Sequence, residues 1–262
     1  VCTLVLAHRH FEGAPLVVAA NRDEFLARPA SGPKVRGAQP RVLSPRDELA
    51  GGTWLGLNEH GLFVGITNRY GAPPDPRRRS RGLLVDQSLR ARDARSLHRE
   101  LSTLAATEYN PFHLLYADEE AAFVTWSDGA ERRQYEVAPG LHVITERSLG
   151  ADDRGRTELL ERLFRAEAGQ GAPSSEGMRA LLAIHGPDGE PLAGSCIHAD
   201  AMGYGTRSSF LYVSGARPQA SWADGHPCTA PFAELAEELQ ELFDGRASST
   251  AVGSSRADSR SI

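Results

Sequence analysis

Cys2 is the residue whose position most invites chemistry. If residue 1 is removed, Cys2 carries a free α-amine beside its thiol. With unperturbed pKa values of about 7.7–8.0 for the amine and about 8.5 for the thiol, the amine accepts the thiol proton near neutrality. Nucleophile and base then reside in one amino acid. Val1 reads as a GTG initiation codon translated literally, where the cell inserts Met and then removes it. The alternative is a cysteine that opens a strand and packs as a small buried hydrophobe. Further polar groups stand where strands are expected to end. Asn21-Arg22-Asp23-Glu24 closes an apolar run, and strand alternation turns Arg22 and Glu24 to one side and Asn21 and Asp23 to the other. Asn68 closes a second run, where a side-chain amide can donate to a developing oxyanion. Arg207, in Gly203-Tyr204-Gly205-Thr206-Arg207, puts a guanidinium at the threshold of a late strand.

Other reactive residues carry weaker signals. Cys196 and Cys228 read as free structural thiols, because the chain contains no Cys-x-x-Cys or His-x-x-x-His spacing and three cysteines make no disulfide framework. His198 follows Cys196 by two residues, a spacing that does not by itself place the pair for proton transfer. The basic run Arg77-Arg78-Arg79-Ser80-Arg81 reads as a solvated loop or as an anion contact.

The elements that must position these residues follow from pattern. Residues 3–7 and 16–20 are apolar and β-branched, and a turn at 12–15 makes them an antiparallel hairpin. Residues 53–57 and 62–67 repeat the design, and the Pro-, Gly- and Arg-rich stretch 27–52 between the hairpins reads as loop. Helical spacing marks 82–105, 154–168, 175–185 and 231–243. Strand-like runs occupy 112–116, 122–126, 134–137, 142–145, 208–214 and 219–222. Strands and helices come in clusters, which predicts an α+β fold of helices on mainly antiparallel sheets. A single domain is expected over 1–245, and the Ser-, Ala- and Arg-rich 246–262 reads as a disordered tail.

Bulk properties narrow the function. A chain of 262 residues buries a sizeable core without staples. A net charge of −5 argues against wrapping nucleic acid. No run approaches the roughly 18 apolar residues of a membrane span, and no secretory leader pattern stands at the N-terminus. A cytoplasmic location is therefore expected.

One ordered set of motifs goes further: Cys2, Asn-Arg-Asp-Glu at 21–24, Gly-Gly-Thr-Trp-Leu-Gly at 51–56, Thr-Asn at 67–68, Ser-Arg-Gly at 80–82 and Tyr-Gly-Thr-Arg at 204–207. With it the chain resembles the NRDE family, also called the transport and Golgi organization protein 2 family, from residue 2 to about 223. The resemblance implies a four-layer αββα sandwich of the N-terminal-nucleophile hydrolase type, distantly similar to choloylglycine hydrolases and penicillin acylases. Carried over, Cys2 matches the nucleophile, Asn68 the oxyanion asparagine and Arg207 the late-strand arginine. Arg22 and Asp23 resemble a pair that those hydrolases separate by two residues, so Asn21 or Glu24 is a possible substitute. Relatives tend to carry asparagine where this chain has Glu146, and an ionised carboxylate donates no hydrogen bond.

Two functions are open on these grounds. One is an N-terminal-cysteine hydrolase or acyltransferase acting on a non-peptide amide of a small molecule, with Cys2, Arg22, Asp23, Asn68 and Arg207 as its site and neither cofactor nor metal required. The other is a non-catalytic carrier or chaperone that uses the same pocket for haem or a lipid-like ligand. A plain interaction protein is the third possibility.

Overall fold

A computed structural model of the chain describes residues 2–251 apart from 72, 152–154, 169–174 and 188. The first hairpin is β1 (Thr3–Phe11) with β2 (Ala14–Phe25). It lies in a seven-stranded sheet with β10 (Gly140–Ile144), β11 (His198–Ala199), β12 (Tyr204–Val213), β13 (Gln219–Asp224) and β14 (Phe232–Glu234). The order is β10-β1-β2-β12-β13-β14, with β11 on β12. The second sheet runs in sequence order through β3 (Ala30–Arg36), β4 (Val42–Asp47), β5 (Leu55–Asn58), β6 (Phe63–Asn68), β7 (Phe112–Ala117), β8 (Ala122–Ser127) and β9 (Arg132–Glu136). Every strand pairing in both sheets is antiparallel.

Strand alternation builds the layers. On β1, Leu4 and Leu6 enter the core between the sheets, while Val5 and Ala7 enter the core under α3 (Gly155–Ala168) and α4 (Ser175–Leu182). On β7, Leu115 and Ala117 face between the sheets, while Leu114 and Tyr116 pack with residues of α1 (Arg81–Ser88) and α2 (Ala94–Leu101). Both faces of the central strands are thus covered, so these strands read as continuous apolar runs. Each buried Leu or Val side chain contributes about 1.5–3 kcal/mol. The result is the expected αββα sandwich. α2 begins on a reciprocal cap, in which the Asp93 carboxylate accepts from the Ser96 N–H at 2.7 Å and Ser96 Oγ accepts from the Asp93 N–H.

Two boundaries depart from expectation. The stretch 27–52 is not loop but contains β3 and β4. Its prolines are tolerated because β3 is an edge strand and Pro33 falls where the β3–β4 register shifts, between Ser31 and Lys34. The helix expected from Pro231 begins only after β14, as α5 (Ala236–Ala251), whose Leu239 and Leu242 plug one side of the inter-sheet core. α5 passes the expected domain limit at 245, and residues 252–262 of the expected tail lie outside the described residues. No helix among the described residues is long and apolar enough to cross a membrane.

Candidate active site

Four of the five candidate residues meet at one end of the sandwich. Cys2 precedes β1 and is half-buried, with its Sγ 3.9 Å from the Asp23 carbonyl oxygen. Thr3 stands opposite Asn21 in the β1–β2 register, which brings the strand start beside Arg22 and Asp23. Asn68 ends β6 on the opposite sheet. Cys2, Arg22, Asp23 and Asn68 line a single cavity of about 230 Å³. Asn68 is exposed there, and its amide makes no hydrogen bond with a described residue. The preceding residue is fixed. Thr67 Oγ1 lies 3.1 Å from Nδ1 of buried His113, whose Nε2 accepts from Arg69 at 2.7 Å. Burial and the Arg69 charge hold His113 neutral, with its pKa down at about 3.

Asp23 is the electrostatic centre. Its carboxylate is fully buried, accepts a 2.6 Å hydrogen bond from Thr206 Oγ1 and lies 3.7 Å from Arg156. Burial pushes its pKa up to about 7, against the pull of Arg156 and of the Thr206 hydroxyl. Burial also raises the Cys2 thiol, and the Asp23 charge adds to this while Arg22 opposes it. The balance favours the protonated thiol, although the positive N-terminal amine also pulls the other way.

Arg22 is buried and held on three sides. Its Nη2 lies 3.2 Å from Asp47 and 3.6 Å from Glu24, and its guanidinium stacks over Trp54 at 4.1 Å. The Glu24 contact bears out the alternation read from sequence. Nη1 is buried without a hydrogen-bond partner among the described residues. Asn21 points the other way. Its Nδ2 donates to Leu182 O at 2.9 Å and Ser195 O at 2.8 Å, and its Oδ1 accepts from Ser209. It is a strut between the sheet and the α4–β11 connection, not a substitute site residue.

Arg207 does not line the cavity; its guanidinium pairs with Asp224 on the neighbouring strand. The β12 register shifts between Thr206 and Ser208, which takes Arg207 out of the pairing with β2. The arginine that reaches Asp23 is Arg156 of α3. It also donates to Thr3 Oγ1 at 2.6 Å and Gly194 O at 2.9 Å, and it lies 3.3 Å from Glu146. Glu146 is thereby paired with Arg156 and is not among the residues that line the cavity. Sequence reasoning missed Arg156 because one arginine in an amphipathic helix carries no local mark.

The glycine motifs bring backbones together. A Cβ on Gly52 would lie 2.3 Å from the Gly82 carbonyl carbon, and the Thr53 N–H donates to Gly82 O. This contact joins the 51–56 and 80–82 motifs and sets the basic run at the cavity rim. Arg78 and Arg81 line the cavity and donate to the carbonyls of Tyr109 and Pro111. Among the described residues, neither has a carboxylate within 4.0 Å. Arg77 and Arg79 of the same run are exposed and paired with Asp75 and Glu108.

Residues 1–221 match the Transport and Golgi organisation 2 family. The chain is 31% identical to the Transport and Golgi organization protein 2 homolog of Bos taurus, over 72% of this chain and 71% of that one. It is 30% identical to the Homo sapiens homolog, over 58% and 59%. In structure it is similar to a variant of the conjugated bile acid hydrolase from Clostridium perfringens, with a TM-score of 0.54 over 91% and 93% of the chains. At 11% identity that likeness speaks for the fold alone, which is N-terminal-nucleophile hydrolase-like. The chain belongs to the Transport and Golgi organisation 2 family.

Proposed function

We propose that the protein is an N-terminal-cysteine hydrolase or acyltransferase for the amide bond of a small molecule that carries an anionic group. The observation that carries this reading is the shared cavity, lined both by the Cys2 residue that precedes β1 and by Asn68 at the end of β6 on the other sheet. Once Cys2 is the first residue, its amine takes the thiol proton and the sulfur attacks the amide carbonyl. The Asn68 N–H donates to the oxygen as it gains charge. Collapse passes the proton to the leaving nitrogen, breaks the C–N bond and leaves a thioester on Cys2. Water or an acceptor amine then attacks the thioester, with the Cys2 amine as base. Arg78, Arg81 and the free Nη1 of Arg22 supply positive charge for a substrate carboxylate, and Asp23 supplies a carboxyl that titrates near neutrality. The fold neighbour is a conjugated bile acid hydrolase, which supports a hydrolase reading.

The carrier reading fits a different place. The Cys2 cavity is below the roughly 300–1,000 Å³ usual for drug-sized ligands. A cavity of about 650 Å³, lined in part by Val124, Val137, Val143 and Ile144, does not include Cys2. A haem- or lipid-like ligand suits that cavity better. Incubation with N-acyl amino acids of graded acyl size separates the two readings. Release of amine that is lost in Cys2→Ala supports the enzyme; stoichiometric ligand uptake indifferent to Cys2→Ala supports the carrier.

A further inference from the structure

The fold gathers four thiol and imidazole ligands that the sequence scatters. Cys196 precedes β11 and His198 opens it, Cys228 lies between β13 and β14, and His185 follows α4. One ligand atom from each lies within 4.8 Å of all the others. We propose that His185, Cys196, His198 and Cys228 form a structural site for a zinc-class divalent ion, independent of the amide chemistry proposed for Cys2.

The distances support coordination. In a tetrahedral site with Zn–S of about 2.3 Å and Zn–N of about 2.05 Å, two sulfurs lie about 3.8 Å apart and sulfur to nitrogen is about 3.6 Å. The two Sγ atoms are 3.7 Å apart, and His198 Nε2 is 3.4 Å from Cys196 Sγ and 3.2 Å from Cys228 Sγ. Three donors thus already outline one face of the tetrahedron, and the His185 ring, 4.8 Å from that of His198, supplies the fourth corner. An S₂N₂ donor set of this shape is that of zinc. Cys196 is buried and Cys228 exposed, which leaves an entry path. The two thiols give up their protons to solvent as the ion binds.

The surroundings are shaped for the cluster. His226 stacks on His198 with ring centroids 3.9 Å apart, and Asp200 offers a carboxylate oxygen within 4.8 Å of a ring nitrogen of each. A Cβ on Gly205 would lie 2.7 Å from His226 Cε1 and 2.7 Å from Ile197 O, so the glycine of the Tyr-Gly-Thr-Arg motif makes room for this packing. A Cys196–Cys228 disulfide would account for neither His185 nor His198. The site also connects to Asp23. The N–H of Ile197, between two ligands, donates to Thr206 Oγ1 at 2.8 Å, and that hydroxyl donates to Asp23 Oδ1. A bound ion would fix the strand that holds Thr206 in place.

Cobalt reports such a site directly. The full chain, reduced and stripped with chelator, is titrated with Co²⁺ and followed by absorbance. One equivalent should produce thiolate-to-cobalt charge transfer and tetrahedral d–d bands, and Zn²⁺ should abolish both. Cys228→Ser, at an exposed position that leaves the core intact, should weaken Co²⁺ binding beyond the roughly 10–100-fold typical of losing an outer-shell partner. Cys2→Ser should leave the bands unchanged, and Zn²⁺ should raise the melting temperature of the wild type but not of Cys228→Ser. Absence of charge transfer in the fully reduced protein would overturn the proposal. So would bands that survive in Cys228→Ser and vanish in Cys2→Ser, since the ion would then sit at the N-terminal cysteine.

Discussion

Replacing Asp23 by asparagine removes a charge and little else, so its effect can be worked from the site. The side chain is fully buried, one oxygen accepts from Thr206, and Arg156 is 3.7 Å away. Asparagine keeps the shape and the acceptor. In the wild type burial raises the carboxyl from 3.8 to about 7. Between those values the folded state holds a proton that the unfolded chain has released. Stability from this group is therefore complete below the unfolded pKa and declines as pH rises through the folded one. Three pKa units at 1.36 kcal/mol each set the difference on the order of 4 kcal/mol. Asp23→Asn has no such loss. Urea unfolding of both proteins at about pH 4 and about pH 8 isolates this contribution, because groups that do not interact with Asp23 cancel in the difference. The variant should gain on the order of 4 kcal/mol relative to wild type across that interval. Parallel stability curves would mean that Asp23 ionises as an ordinary carboxylate, and the electrostatic account of the site would fail.

Asn68→Ala should lower turnover by about 10²–10³ and leave the melting temperature nearly unchanged, because its amide is exposed and disengaged; equal turnover in the two proteins removes it from the mechanism. Arg156→Ala strands Asp23 and Glu146 and should destabilise by about 3–5 kcal/mol in chemical denaturation. Gly52→Ala drives a methyl into the Gly82 backbone and should cost at least about 1–3 kcal/mol, whereas wild-type stability would show that the two motifs can separate.

The central strands were legible because they are buried on both faces: Leu4 to Ala7 and Leu16 to Ala20 are apolar at every position. β3 and β4 were hidden by Pro33 and Pro45, whose effect depends on an edge position and a register shift that no local pattern reveals. The site divides in the same way. Cys2, Arg22, Asp23 and Asn68 stand near the ends of strands, where pattern and resemblance both point. Arg207 shares the motif but turns away at the β12 irregularity, and Arg156 arrives from a helix more than 130 residues beyond Asp23. Of the cluster of His185, Cys196, His198 and Cys228, only Cys196 and His198 are close in sequence, and their spacing matches no metal motif. Tertiary structure alone assembles it from three separate segments.

The claim at the centre is that Cys2 attacks an amide. Chain beginning at Cys2 is mixed with excess N-acyl substrate, quenched in acid within the turnover time, and measured by intact mass and peptide mapping. The account predicts an acyl group on the N-terminal peptide, more abundant when the water step is slowed, and none in Cys2→Ala. Turnover of substrate with no acyl group on Cys2, or with undiminished rate in Cys2→Ala, would contradict it.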